Sequence, residues 1–311
     1  MIALNARAAA RPELGGVERW ARELSVRLDA TVLRPPPALS HRAGHLWEQA
    51  VLPGLARGAE LLVNPANLAP LAYGRNVVVI HDAAALREPS WYSGLFVRWQ
   101  RVVLPRIARR AVRVVTVSAF SAAELREMLG VEAVVVPGGV DHERFVPGEP
   151  RAARPYVLTV ASRITRKNLG ALAQTAHRLA ADGVELVAAG GSRPQFRGEQ
   201  VPVRELGHVP DDELSALYAG AQAFVLPSLY EGFGLPCLEA MACGTPVVTS
   251  DRTALPETCG DAALLVDPTN ETAIADAVLA AIGDAGMRER GIARAAAFSW
   301  ERTARELAAV L

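Results

Sequence analysis

Phe224–Ser250, FVLPSLYEGFGLPCLEAMACGTPVVTS, reads as a strand, a glycine loop, a helix and a second strand in one pass. Ala223–Leu226 is short and wholly apolar, the mark of a strand buried on both faces, and Val247–Ser250 follows in the same style. Between them Gly232 and Gly234 supply the loop, and Pro236 fits the first turn of a helix, where its missing N–H costs nothing. A strand that returns parallel to its predecessor through a helix is the unit of an open α/β sheet.

The same stretch carries chemistry. Glu231 and Glu239 stand eight residues apart, the first in the loop ahead of the helix and the second inside it. Amides left unpaired at a helix N-terminus, with the macrodipole behind them, favour a phosphate, and glycines let it come close. The two carboxylates repel phosphate but accept hydrogen bonds from hydroxyls. Together these features suit a ligand with a phosphate in its middle and polyols on either side, which is the layout of a sugar nucleotide.

Working outward, short apolar runs alternate with helical patterns along the whole chain. The expected strands are Ile2–Ala6, Ala30–Leu33, Leu61–Asn64, Val77–Ile80, Val114–Val117 and Ala133–Val136, then Tyr156–Val160, Glu185–Ala189, Ala223–Leu226, Val247–Ser250 and Ala263–Val266. This predicts α/β domains with parallel sheets. At 311 residues the chain exceeds what one core organises, so two domains of about 150 residues are expected. Asp141–Pro155 carries charge and prolines without a sustained period and reads as the linker, which puts the domains at 1–146 and 147–296. An amphipathic segment, 297–311, closes the chain.

Formal net charge is zero, which gives no reason to expect nucleic acid as a partner. The three cysteines, Cys237, Cys243 and Cys259, are too few for a disulfide framework and fit no zinc spacing, so no metal is expected and a reduced cytosol is the simplest compartment. The first residues, MIALNARAAARPELGG, lack a long apolar core, and no apolar run reaches the roughly 18 residues that span a bilayer. A cytoplasmic protein, or one peripheral to the inner membrane face, is the expectation.

Further segments stand in a telling order: GGVERWARELSVRL near the start, VVVIHD at 77–82, VVTVSAFS at 114–121, VVVPGGVDHERF at 134–145, SRITRKN at 162–168 and LGHVPDDELSALYAGA at 206–221. With EGFGLPCLEAMACGTPVV, an E-x7-E motif in its usual setting, this series resembles the retaining glycosyltransferases of GT-B fold, specifically glycosyltransferase family 4. The resemblance covers nearly the whole chain. It implies two Rossmann-like domains facing across a cleft, acceptor side first and donor side second, with the final helix crossing back to the first domain.

Arg163 and Lys167 follow the strand Tyr156–Val160, at the end of an open sheet where ligands bind. A solvated basic pair is the plain alternative, yet a cation at a helix start opposes the dipole and favours an anionic ligand. The resemblance implies that they hold the donor diphosphate. His81 and Asp82 follow the strand Val77–Ile80; read alone, such a histidine is a structural hydrogen-bonding group, whereas the resemblance turns it to the donor sugar, with Asp82 capping or orienting. By the same resemblance Glu231 contacts the donor sugar, Glu239 the ribose, and Phe233, Gly234 and Leu235 offer backbone amides. The base is expected around Gly207–Pro210, with Val209 at its middle. Gly15 and Gly16 precede an amphipathic helix and form either a simple turn or, as the resemblance implies, a loop that shapes the acceptor side. Ser118 is a further candidate for which helix capping is the equal alternative.

No cofactor is implied beyond a nucleotide diphosphate sugar as substrate, and the partners implied are that donor and a hydroxyl acceptor, lipid-linked acceptors included. The hint of a mannosyltransferase comes from HLWEQAVLP, residues 45–53. Two other readings stand beside this one. Gly232-Phe-Gly234-Leu-Pro-Cys237 approaches a dinucleotide fingerprint, but Cys237 replaces its third glycine and Leu229, Tyr230 and Glu231 lengthen the turn. A sugar-nucleotide-binding protein without catalysis is the other. Pro89–Arg113, aromatic and arginine-rich with no acid, reads as a packed helix in preference to a membrane-lying one, and Pro105 is expected to interrupt it.

Overall fold

Among the described residues twelve strands form two six-stranded sheets, and every strand pair is parallel. The computed structural model describes residues 1–11, 15–39, 44–148, 154–162, 164–191 and 203–311. These divide into two units: unit 1 is Met1–Pro89, Gly94–Gly139 and Trp300–Leu311, and unit 2 is Ser90–Ser93 with Val140–Ser299.

Unit 1 contains β1 (Ile2–Asn5), α1 (Gly16–Arg27), β2 (Thr31–Leu33), α2 (Gly44–Ala50), α3 (Leu52–Leu55), β3 (Leu61–Asn64), β4 (Asn76–Val79), α4 (Ala84–Arg87), α5 (Gly94–Arg110), β5 (Arg113–Thr116), α6 (Ala119–Leu129) and β6 (Ala133–Val135). Its sheet order is β2-β1-β3-β4-β5-β6. Unit 2 contains β7 (Tyr156–Val160), α7 (Ala173–Ala181), β8 (Glu185–Ala189), β9 (Arg204–Gly207), α8 (Asp211–Gly220), β10 (Ala223–Leu226), α9 (Leu235–Ala242), β11 (Val247–Ser250), α10 (Leu255–Cys259), β12 (Ala263–Val266), α11 (Glu271–Ala281) and α12 (Ala285–Ala296). Its order is β12-β11-β10-β7-β8-β9. The last helix, α13 (Trp300–Ala309), belongs to unit 1, where Trp300 meets Trp20 of α1 edge-on at 6.3 Å and Thr303 donates to the Pro137 carbonyl at 2.8 Å.

Central strands are buried on both faces, as their runs of Val and Leu require: β4, β10 and β11 are buried along their length. One layer of unit 1 packs Leu104 and Ile107 of α5 and Leu125 of α6 on Val78 and Ile80. A second cluster gathers Trp47, Leu52, Leu62 and Tyr73. In unit 2 Phe145, Tyr218 and Phe224 form successive edge-to-face contacts at 5.9 and 5.5 Å.

Two elements depart from expectation. β9 was not expected as a strand, because Arg-Glu-Leu-Gly is charged, largely exposed and at the sheet edge, so it carries no apolar alternation. Helix α5 runs without a break through Pro105. An interior proline costs about 3 kcal/mol, but Leu104 and Ile107 on either side of it are buried, and each contributes about 1.5–3 kcal/mol. Packing outweighs the lost hydrogen bond, so the proline is carried inside the helix.

Candidate active site

Each sheet has a switch point where the chain changes direction across it. In unit 2 it lies at β7, which leads outward to β8 and β9 before the chain returns to lay β10 on its other flank. Loops leaving neighbouring strands at such a point diverge and open a crevice at the carboxyl ends. The loop after β7 brings Lys167, and the loop after β10 brings Glu231.

These two meet. Lys167 Nζ donates to Glu231 Oε1 at 2.5 Å, Ser228 Oγ donates to the same oxygen at 2.7 Å, and Arg166 Nη1 reaches Oε2 at 3.3 Å. Arg166 also donates to the Tyr230 carbonyl at 3.0 Å. Burial raises a carboxyl group, but the Lys167 and Arg166 charges with the Lys167 and Ser228 hydrogen bonds outweigh it and hold Glu231 below the ordinary carboxylate value. Burial in turn pulls the Lys167 ammonium down, and the ionised Glu231 opposes that pull. Two cations thus converge on one buried carboxylate. The sequence reading passed over Arg166, and it took the carboxylate and the cations as contacts for different parts of a ligand. Arg163 lies outside the described residues.

Three residues beyond Glu231 the chain turns into α9. Gly234 has φ +110°, and a Cβ there would lie 2.7 Å from Leu255 Cδ2, so both backbone and space demand glycine. The Phe233 carbonyl accepts from Thr258 Oγ1 at 2.7 Å, which points this peptide away from the helix start. No acceptor among the described residues takes the amides of Phe233, Gly234 or Leu235. They follow Glu231 on the same loop.

Glu239 is 4% exposed, so it is no solvated face residue, and its Oε2 accepts from the Tyr218 hydroxyl at 3.0 Å. Val209 is half-buried on the loop that leaves β9 at the same end of the sheet. Gly207 ahead of it has φ +69° and accepts from the Gly190 amide at 2.7 Å, which ties the loops after β8 and β9 together.

In unit 1 the switch point lies at β1, between β2 and β3. His81, just past β4, is buried. Its Nε2 is 2.8 Å from the Pro65 carbonyl, its amide donates to Asn67 Oδ1 at 2.7 Å, and its carbonyl accepts from Ser121 Oγ at 3.0 Å. Trp20 meets the ring edge-on at 5.5 Å. A carbonyl only accepts, so Nε2 carries the proton and Nδ1 keeps a free lone pair. Burial lowers the imidazole below its ordinary value against the opposing Pro65 hydrogen bond and the charges of Asp82 and Glu18, which keeps the ring neutral at pH 7.

Ser118 caps α6 by accepting from the Ser121 amide at 3.0 Å. Ser121 then holds His81, so the cap fixes the histidine one step removed. The Asp82 side chain accepts from the Ala84 amide at 3.2 Å. At the start of α1, Gly15 donates its amide to Glu18 Oε2 at 3.2 Å, and Glu18 pairs with Arg11 at 2.9 Å. Gly15 thus serves as a helix cap, with Gly16 as the first helical residue. HLWEQAVLP has a packing role. Trp47 is buried, Glu48 takes Asn5 at 2.7 Å and Arg7 at 3.1 Å, and Gln49 pins both Ala69 and Leu71 at 3.0 Å, on the loop that carries Pro65 and Asn67.

Among the described residues no group of three His, Cys, Asp or Glu side chains is placed to hold a metal. All three cysteines are buried and free of disulfides, and burial pushes the Cys243 thiol up to about 12.

Two family models match: "Glycosyltransferase Family 4" over residues 29–144 and "Glycosyl transferases group 1" over 154–284. The O-antigen chain mannosyltransferase B of Escherichia coli is 34% identical over 73% of this chain and 67% of its own length. The chain belongs to the family 4 glycosyltransferases. The MMP alpha-(1->4)-mannosyltransferase of Mycolicibacterium hassiacum is 34% identical to this glycosyltransferase over 71% of the chain, and the match spans 59% of that relative. Sucrose-phosphate synthase from Thermosynechococcus elongatus shares the fold at TM-score 0.78 and 21% identity, over 99% of this chain and 97% of that one. The architecture is therefore GT-B, two Rossmann-like α/β domains with parallel sheets. As a member of the family the glycosyltransferase draws its sugar from a nucleotide-sugar donor, and the oxidoreductase alternative falls.

Proposed function

We propose a retaining transfer of a hexose from a nucleotide diphosphate sugar to a hydroxyl acceptor, without a metal. The observation that carries this reading is the Lys167–Arg166–Glu231 cluster, whose Glu231 lies on the same loop as three open amides at the start of α9. The diphosphate takes the amides of Phe233, Gly234 and Leu235 and the cations, with Arg163 among them. Glu231 orients the donor sugar, Glu239 accepts from the ribose hydroxyls, and Val209 packs on the base. His81 faces the sugar with a neutral ring, whose bare Nδ1 accepts from a sugar hydroxyl; Gly15 and Gly16 shape the acceptor side.

In the reaction the bond from the anomeric carbon to the phosphate oxygen breaks. The acceptor oxygen bonds to the same face of the sugar, and its proton passes to the departing phosphate. Such a step needs positioning and charge stabilisation more than a dedicated base. Mannose as the hexose is favoured by the two mannosyltransferases at 34% identity.

The test is a thermal-shift screen against UDP, GDP, ADP and dTDP. A nucleotide present at about 100 times its Kd stabilises the folded protein by about 2.7 kcal/mol. One nucleotide is expected to stand out, and Glu239→Ala should abolish most of its shift. An unchanged affinity in that variant would remove Glu239 from the site.

A cytoplasmic protein touching an anionic membrane face is the location we propose, with a lipid-linked acceptor among the candidates. The outward side of α5 supports it. Leu95 and Val102 are 80% and 51% exposed, and Arg98, Arg101, Arg106, Arg109, Arg110 and the following Arg113 pair with no carboxylate among the described residues. Exposed apolar side chains set among unpaired arginines suit an anionic interface. Co-sedimentation with phosphatidylglycerol vesicles but not with phosphatidylcholine vesicles is expected, and equal pelleting with both would refute the contact. No helix among the described residues is long and apolar enough to cross a membrane.

A further inference from the structure

Among the described residues, three that are not glycine hold a left-handed backbone: Asn67 at φ +61°, Asn168 at φ +54° and Thr253 at φ +60°. Asparagine visits this region with little penalty, but a β-branched threonine there is a genuine outlier. Where the chain needs only a left-handed turn it uses glycine: Gly130, Gly183 and Gly283 have φ +66°, +72° and +79°, with nothing near the place a Cβ would occupy. The three exceptions keep a side chain, and each side chain has a specific task.

Asn67 accepts the His81 amide on Oδ1 at 2.7 Å, while its own amide donates to the Val79 carbonyl at 2.9 Å. Asn168 directly follows Lys167, and its Nδ2 donates to the carbonyls of Pro227 at 3.1 Å and Pro268 at 2.7 Å. It therefore ties the Lys167 loop to the residue before Ser228. Thr253 accepts the Glu231 amide on Oγ1 at 3.1 Å and donates its hydroxyl to the Arg252 carbonyl at 2.7 Å. The next amide, that of Ala254, donates to the Glu231 carbonyl at 3.3 Å, so the Glu231 backbone is held on both sides.

We propose that Asn67, Asn168 and Thr253 are positioning residues for the transfer, each held in a left-handed conformation so that its side chain fixes the backbone at His81, Lys167 or Glu231. Backbone strain such as that at Thr253 persists where the surroundings impose it, and strained positions cluster at functional sites. Here each of the three side chains bonds the backbone of a neighbouring loop. The inference rests on the proposed roles of His81, Lys167 and Glu231.

The experiment compares Thr253→Gly, Thr253→Val and Thr253→Ser with Asn67→Gly and Asn168→Gly, and runs Glu231→Gln alongside. Melting temperature is recorded, with kcat and donor KM from release of nucleoside diphosphate by UDP-glucose or GDP-mannose, whichever matches the nucleotide screen. Glycine removes the backbone strain along with the hydrogen bond, so stability stays near that of the wild type or rises. A misplacement of about 1 Å at a reacting group costs about 100-fold. The Gly and Val variants at position 253 are expected to lose about tenfold or more in kcat, with donor KM within about threefold. Thr253→Ser, which restores the hydroxyl, should recover most of the rate, and Asn67→Gly and Asn168→Gly should follow Thr253→Gly.

Wild-type kcat in the glycine variants would overturn the proposal, as would rate losses that track falling melting temperature without rescue by serine. If Glu231→Gln turns over at the wild-type rate, the site reading has failed and the positioning role fails with it. If Glu231→Gln is inactive while Thr253→Gly is fully active, the positioning role fails alone.

Discussion

Glu231→Gln is expected to abolish transfer and to leave a less stable protein. The variant keeps the shape of the side chain but removes a negative charge that Lys167 and Arg166 both contact. Breaking a buried ion pair by removing one partner costs about 3–5 kcal/mol. Lys167 is buried and Arg166 nearly so, which places the expected loss at the lower end, about 3 kcal/mol. The transfer rate should fall about 100- to 1,000-fold, the range for deleting one polar group that stabilises a transition state. The charge also predicts a pH signature. Glu231 is held below the ordinary carboxylate value in the folded protein, so its contribution is complete above that ordinary value and is lost as pH falls through the lowered one. Urea melts of wild type and variant at about pH 7 and at about pH 4 should therefore differ more at the higher pH. Equal stability at both values and undiminished turnover would mean that the cluster is neither a charge network nor part of the site.

Much of this site was legible because its parts are contiguous. Glu231, Gly234 and Glu239 lie on one strand–loop–helix passage, where the apolar run, the glycines and Pro236 each dictate one local conformation. Eleven of the strands announced themselves by Val, Leu and Ile runs, which an open parallel sheet buries on both faces. The rest depended on partners distant in sequence. Arg166 looks like any basic loop residue until the β10 loop sets Glu231 and the Tyr230 carbonyl against it. Thr253 gives no sign of its left-handed backbone in SDRTALPE, since threonine is a poor choice for that region and only the Glu231 amide gives a reason for it. Asn67 and Ser121 likewise earn their places through His81, 14 and 40 residues away. β9 escaped notice because an exposed edge strand needs no apolar face, and α5 was expected to break because the cost of Pro105 is local while its compensation is tertiary.

His81→Ala carries the second large effect. The ring is buried against Trp20 and bonded to Pro65, and burial keeps it uncharged at neutral pH. A neutral imidazole with Nε2–H on a carbonyl presents only an acceptor, Nδ1, which in the proposed reaction would orient a sugar hydroxyl without attacking the sugar. The rate of the unmodified protein should stay level as pH rises through neutrality and fall in acid, where the ring takes a proton and that acceptor is lost. Removing the ring should cost about 100-fold or more in transfer, and the cavity left beside Trp20 should lower the melting temperature. The nucleotide sits with the unit 2 residues in this account, so its affinity should be kept. Paired measurements on His81→Ala, calorimetric titration with the nucleoside diphosphate chosen by the screen and turnover of the matching sugar nucleotide, test directly whether the unit 1 histidine and the unit 2 cluster serve one donor. The account predicts unchanged diphosphate affinity with transfer lost; wild-type turnover, or a loss of diphosphate affinity as large as the loss of rate, would contradict it.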